Sequence, residues 1–115
     1  SKIAIIGSLQ DVPRIKILDK RIVNFCGRLK LRESAALVSK SAVVISNSSV
    51  AMHLAGAFAV PSITTLGPCY ESAILHSKQW GYPENTILGK ELSKNIKNIA
   101  TVDEVYAKVK SMLNF

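Results

Sequence analysis

Residues 43–68 read VVISNSSVAMHLAGAFAVPSITTLGP. The apolar run Ala42–Ser46 predicts a strand of the kind buried on both faces, and it stops at Asn47-Ser48-Ser49. Ser49–Ala59 then predicts a helix that carries one histidine, His53. Pro61 opens a second strand, Ser62–Leu66, which ends at Gly67-Pro68. This is a strand-helix-strand unit with small polar residues where the first strand meets the helix. A helix start exposes backbone N–H groups that lack an intrahelical acceptor, together with the positive end of the helix dipole. Such a junction suits an anion, typically a phosphate.

With Ser48 as N-cap, the N–H groups of Ser49, Val50 and Ala51 would point out of the helix start, and the Ser49 hydroxyl could add a donor. Ordinary capping by serine, with no ligand, is the competing reading. His53 falls four residues after Ser49, on the same face of the helix. It is a candidate donor to a phosphate or a sugar, against the alternative of a histidine satisfied by packing. Gly56 costs a helix interior about 1 kcal/mol relative to alanine, which close packing against the sheet would explain.

Outward from this unit, Lys2–Ile6 predicts a buried strand that ends at Gly7-Ser8, and Asp11–Lys20 predicts a helix with Pro13 in its first turn. Arg21–Phe25 predicts a short strand followed by a turn at Gly27. Leu31–Lys40 predicts a helix with Leu31, Ala35, Leu37 and Val38 on its inner face. Asn85–Leu88 predicts a strand, and one or two helical turns fit around Glu71–Lys78. A final helix runs to about Leu113, opened by Thr101 and Glu104 at the spacing of a capping box. Alternating strands and helices predict an α/β domain with a parallel sheet. Ligands of such sheets bind beyond the carboxyl ends of the strands. Here those ends are Gly7-Ser8, Cys26-Gly27, Asn47-Ser48-Ser49 and Gly67-Pro68. Gly7 permits close approach of backbone to a ligand. Asp11 could accept from a ribose hydroxyl or cap the next helix.

The 115 residues suit one domain with a core that needs no staples, and 48% hydrophobic against 20% charged residues excludes disorder. Cys26 and Cys69 are far apart and in no metal-ligand spacing, as expected of reduced thiols. The apolar stretch 42–66 is interrupted by Asn47, Ser48, Ser49, His53 and Pro61, which excludes a membrane-spanning helix. Net charge is +7, yet the basic residues are scattered and lack aromatic interleaving, which argues against nucleic acid. An anionic small ligand or an anionic membrane surface accounts for the charge equally well. Cys69 has only His53 as a plausible base and no orienting acid, and His76 reads as a loop or surface residue. The residues therefore describe a phosphate-compatible α/β half without catalytic machinery of its own.

The central segment resembles glycosyltransferase family 9, the heptosyltransferases of lipopolysaccharide core assembly. The matching residues are Ser48-Ser49-Val50-Ala51-Met52-His53-Leu54-Ala55-Gly56-Ala57, then Pro61, then Leu66-Gly67-Pro68-Cys69. Upstream, Gly27-Arg28-Leu29-Lys30-Leu31-Arg32-Glu33 resembles the family's Gly-Lys-x-x-Leu-x-Glu stretch, and the closing helix is also similar. The chain departs from the family pattern at three places: Ser48 stands for an aspartate, Val50 for a glycine and Cys69 for a threonine.

The resemblance implies a GT-B fold, of which this chain, residues 1–115, would be the carboxy-terminal nucleotide-sugar-binding domain. That domain is Rossmann-like and three-layered, with a parallel sheet of about five strands. The amino-terminal acceptor domain would lie outside the chain. The implied activity is transfer of a heptose or similar sugar from a nucleotide diphosphate to a lipopolysaccharide-type acceptor. The alternative is a degenerate, non-catalytic domain that binds a nucleotide or a partner. Ser49, Val50 and His53 would surround the diphosphate, Gly67 and Pro68 would line the same pocket, Asp11 falls about where the family has an acidic residue for the ribose, and Ser48, Gly7 and Ser8 complete the donor-binding set. No metal or cofactor is implied, ADP-heptose being the type of substrate. The implied partners are the nucleotide sugar and, through the other domain, a glycolipid acceptor. The implied location is the cytoplasm, with peripheral contact at the inner face of the bacterial inner membrane.

Overall fold

The computed structural model describes residues 2–14, 19–66, 81–88 and 100–113. Among these residues lie strands β1 (Ile3–Ile5), β2 (Ile22–Asn24), β3 (Val44–Asn47), β4 (Ser62–Thr65) and β5 (Asn85–Leu88). The helices are α1 (Leu31–Ser39), α2 (Val50–Ala57) and α3 (Val102–Leu113), with a 3-10 helix over Leu9–Arg14. Every strand pairing is parallel. The chain thus adopts the α/β class that its alternation of elements predicts. The five strands among the described residues are divided between a pair, β1-β2, and a three-stranded sheet ordered β3-β4-β5. Two compact units result, Ser1–Leu37 and Val38–Phe115, and each is described by itself. The helical turns expected around Glu71–Lys78 lie outside the described residues.

In the first unit, β1 and β2 are extended by bonds from Phe25 N–H to Ile5 O (2.8 Å) and from Gly27 N–H to Gly7 O (2.9 Å). Gly27 has φ +72°, and a Cβ there would stand 3.0 Å from Leu9 Cα. Backbone conformation and space therefore both call for glycine. β1 is not the buried strand expected from its composition. Among the described residues β2 is its one hydrogen-bonded neighbour, and Ile3 and Ala4 are exposed. Of the helix expected over Asp11–Lys20, residues 11–14 belong to a 3-10 helix, Leu9–Arg14, and residues 15–18 lie outside the described residues. The Asp19 carboxylate accepts the Arg21 backbone N–H at 2.8 Å, a local turn that competes with helix. The exposed Arg21 guanidinium beside it holds the Asp19 carboxyl below the usual carboxylate range. At α1, Lys30 N–H donates to Glu33 Oε1 (2.9 Å), which satisfies a donor at the helix start. Leu31, expected on the inner face, is 68% exposed. It is the first helical residue, and its side chain leans past the helix end.

In the second unit, β4 is the strand buried on both faces: Ser62, Ile63 and Thr64 are all buried. β3, expected to fill that role, has a partner on one side only among the described residues, and Ile45 is 52% exposed. A continuous apolar run cannot tell a central strand from an edge strand, because the distinction depends on neighbours. Helix α2 packs on β3 and β4, with Met52 and Ala55, three residues apart, buried. Helix α3 packs on β4. Two buried hydroxyls on β4 need partners, and Asn85 supplies them. Its Nδ2 donates to Ser62 Oγ (2.7 Å) and Thr64 Oγ1 (3.0 Å). Asn85 is paired in register with Ser62, so all three side chains stand on one face of the sheet.

Two helix termini follow their sequence chemistry closely. At α3, Glu104 N–H donates to Thr101 Oγ1 (3.1 Å), and Thr101 N–H donates to Glu104 Oε2 (3.3 Å), a reciprocal capping box. At the end of α2, Val60 N–H donates to Ala55 O (2.9 Å) and Ala59 N–H to Gly56 O (3.2 Å). This is a Schellman closure, and the buried Val60 seals it. The left-handed position is held by Ala59 at φ 54°, where glycine is the usual occupant. An alanine there carries a steric cost of about 1–2 kcal/mol, partly offset by the backbone entropy that glycine would lose. Ala59→Gly is therefore expected to stabilise the chain by roughly 0.5–1 kcal/mol, a rise of a few degrees in Tm read by calorimetry. A fall in Tm would contradict the left-handed assignment.

Candidate functional site

The site is built where β3 and β4 end side by side. Asn47 and Thr65 are register partners, and Thr65 Oγ1 donates to Asn47 Oδ1 at 3.0 Å. This bond ties the two strand ends together. The chain then turns through Ser48 and Ser49 into α2.

The N-cap is Ser49, with φ −155° and ψ −175°, and not Ser48 as the sequence suggested. The reason lies in the backbone. Ser49 O accepts the N–H groups of Met52 (3.1 Å) and His53 (3.4 Å), so helical hydrogen bonding starts there. Ser49 makes no side-chain capping bond. Among the described residues, the N–H groups of Val50 and Ala51 have no backbone acceptor. Of the three N–H groups expected at the helix start, Val50 and Ala51 lie inside the helix and Ser49 belongs to its N-cap. Val50 is the first helical residue and is 60% exposed. Side chains lean toward the helix N-terminus, so its isopropyl group stands beside the same opening. Ser48 is half-buried.

His53 follows one turn later, exposed, on the face of α2 that carries Ser49. Its Nδ1 lies 2.7 Å from the Tyr82 hydroxyl. The two rings meet edge to face, with centroids 5.8 Å apart and an interplanar angle of 80°. Three residues beyond His53 on the same face is Gly56. A Cβ on Gly56 would overlap the Tyr82 ring. The mid-helix glycine therefore makes room for an aromatic ring, and the close neighbour is not the sheet, as its position had suggested. Tyr82 is anchored just before β5, where its carbonyl accepts Asn85 N–H at 3.0 Å.

Tyr82 escaped the sequence reading because 29 residues separate it from His53. The only local signal was the unfavourable glycine in α2, which says that something approaches but not what.

In the other unit, Gly7, Ser8 and Asp11 come together. Asp11 Oδ2 accepts from Ser8 N–H (2.8 Å) and Ser8 Oγ (3.0 Å), and Asp11 N–H donates to Ser8 O (3.0 Å). The aspartate caps the 3-10 helix. A Cβ on Gly7 would come within 2.8 Å of Asp11 Oδ2, so the glycine lets the carboxylate in. Cys26 is a buried thiol. Gly67, Pro68, Cys69 and His76 lie outside the described residues. No helix among the described residues is long and apolar enough to cross a membrane.

A family model, glycosyltransferase family 9 (heptosyltransferase), matches residues 9–97. No curated protein and no solved structure matches the chain.

The Gly56–Tyr82 contact can be tested by sign reversal. Gly56→Ala should destabilise the chain by roughly 1–3 kcal/mol through overpacking, although alanine is the better helix former. In a Tyr82→Ala background the same change should stabilise it by about 1 kcal/mol. Urea unfolding of the four proteins measures both effects. An equal effect of Gly56→Ala in the two backgrounds would remove the contact from the account.

Proposed function

As this chain belongs to glycosyltransferase family 9, we propose that it is the donor-binding, carboxy-terminal domain of a GT-B enzyme. The enzyme transfers a heptose or similar sugar from a nucleotide diphosphate to a hydroxyl of a lipopolysaccharide-type acceptor. The observation that carries this reading is the mouth of α2. Two backbone N–H groups, Val50 and Ala51, stand at a helix start beyond the end of β3, with His53 one turn away.

In this reading the donor's diphosphate lies across the start of α2. The acceptor hydroxyl oxygen bonds to the anomeric carbon, and the bond from that carbon to the diphosphate oxygen breaks. The diphosphate leaves with the electron pair. Charge on it grows as the bond breaks, so the N–H groups, the helix dipole and His53 bind it more strongly in the transition state than in the ground state. The proton lost by the acceptor goes to a base on the acceptor domain, which the proposal places outside these 115 residues. Gly67 and Pro68 complete the diphosphate pocket in this scheme. The donor is a substrate, and the transfer calls on no metal and no cofactor. The enzyme works in the cytoplasm and meets its glycolipid acceptor at the inner face of the inner membrane.

Val50 favours one second reading, a domain that binds a nucleotide without catalysing transfer. Its exposed side chain stands at the opening where the family pattern has a glycine.

Titration calorimetry with ADP, UDP, GDP and adenosine tests the site. A nucleoside diphosphate is expected to bind in the millimolar range, and no binding by any of the three would overturn a preformed donor site. His53→Ala should weaken the diphosphate about tenfold, the loss of one hydrogen bond to a charged group, and leave adenosine unchanged. Equal losses for ADP and adenosine would sink the phosphate role of His53.

A further inference from the structure

We propose that Tyr82 is a positioning residue that fixes the ring orientation and tautomer of His53, and that Gly56 exists to seat it. Three observations converge on one side chain. The Tyr82 hydroxyl is 2.7 Å from His53 Nδ1. The tyrosine ring fills the space over Gly56, where any side chain would collide with it. The two aromatic rings meet edge to face, which restricts rotation of the imidazole.

The geometry has a direction. His53 and Gly56 are one turn apart on a single face of α2, so the tyrosine ring lies along the helix with its hydroxyl toward the helix start. Its base is held at the entry to β5 by the bond from Asn85 N–H to Tyr82 O. The imidazole is thus clamped from an element other than its own helix. A neutral imidazole carries its proton on one nitrogen, and the bond made by the other nitrogen decides which. When the Tyr82 hydroxyl donates to Nδ1, the proton resides on Nε2. Whatever His53 meets through Nε2, it then meets as a donor. That is the polarity an anionic oxygen requires, whereas the opposite tautomer would present a lone pair and repel it.

For the identity of that anion, a diphosphate, the inference rests on the donor reading above. The hold of Tyr82 on His53 does not.

Tyr82→Phe removes the hydroxyl and keeps the ring over Gly56, so the fold is expected to survive, as an unchanged thermal melt would confirm. Long-range ¹⁵N–¹H correlation spectra of the imidazole, at a pH where it is neutral, read the tautomer directly and need no ligand. The native chain should show His53 protonated at Nε2. Tyr82→Phe should move the nitrogen shifts toward a mixture of tautomers. ADP affinity should then fall several-fold with adenosine unchanged, and His53→Ala should make the further loss of the hydroxyl silent.

Identical imidazole shifts in the native and Tyr82→Phe chains would overturn the proposal. So would altered shifts with ADP affinity intact, since the tautomer would then have no bearing on the anion. Failure of the native chain to bind ADP would remove the donor reading alone. The tautomer comparison would still decide whether Tyr82 governs His53.

Discussion

Parallel pairing on both edges of β4 is the constraint on which the second unit depends. Ser62 through Thr65 are matched residue for residue with Val44 through Asn47 on one side and Asn85 through Leu88 on the other. Because the strands run the same way, their carboxyl ends come out at one edge of the sheet, and a helix must return the chain between them. The Thr65–Asn47 bond is made at that edge, and α2 starts from it. The register is protected by chemistry as well as by burial. A slip of one residue would bring Ser62 and Thr64 to the opposite face and away from the Asn85 amide that satisfies them. Polar side chains inside a small sheet thus specify its alignment more sharply than apolar ones would.

The candidate site inherits its geometry from that alignment. β3 delivers Ser49 and the start of α2, while β5 delivers Tyr82 from the opposite edge of the same sheet. Helix α2 lies against β3 and β4, and one of its faces carries Ser49, His53 and Gly56 at helical spacing. Tyr82 reads this face like a template: its ring takes the gap left by glycine and its hydroxyl takes the histidine. The resulting imidazole is supported by a second element, which is the arrangement a recognition site needs if its donors are to be aimed before the ligand arrives.

Local chemistry was legible wherever the partners lie within a few residues of each other. The capping box at Thr101–Glu104, the turn at Gly27 and the placement of all five strands follow from short-range patterns, and the structure contains them. Readings failed where a competing bond or a distant neighbour decided the outcome. Asp11–Arg14, expected to open a helix, lie in a 3-10 turn, and Asp19 bonds the Arg21 backbone in a turn of its own. The N-cap moved from Ser48 to Ser49, two serines that sequence cannot rank, because the end of β3 sets where the helix may begin. β3 was given the burial that belongs to β4, since both are short apolar runs and only their neighbours differ.

By itself the sequence determined the class of fold, the family and the residue that stands one turn into the key helix. Each of these is carried by periodicity or by a contiguous motif, and both are written within single elements of the chain. The tertiary structure alone decided which strand is central, which groups remain outward at the start of α2, and why a glycine interrupts that helix. It also brought Tyr82 to His53 across 29 residues. Contacts of that range follow from strand order and register, which arise when sheets assemble and leave no period in the sequence to be read.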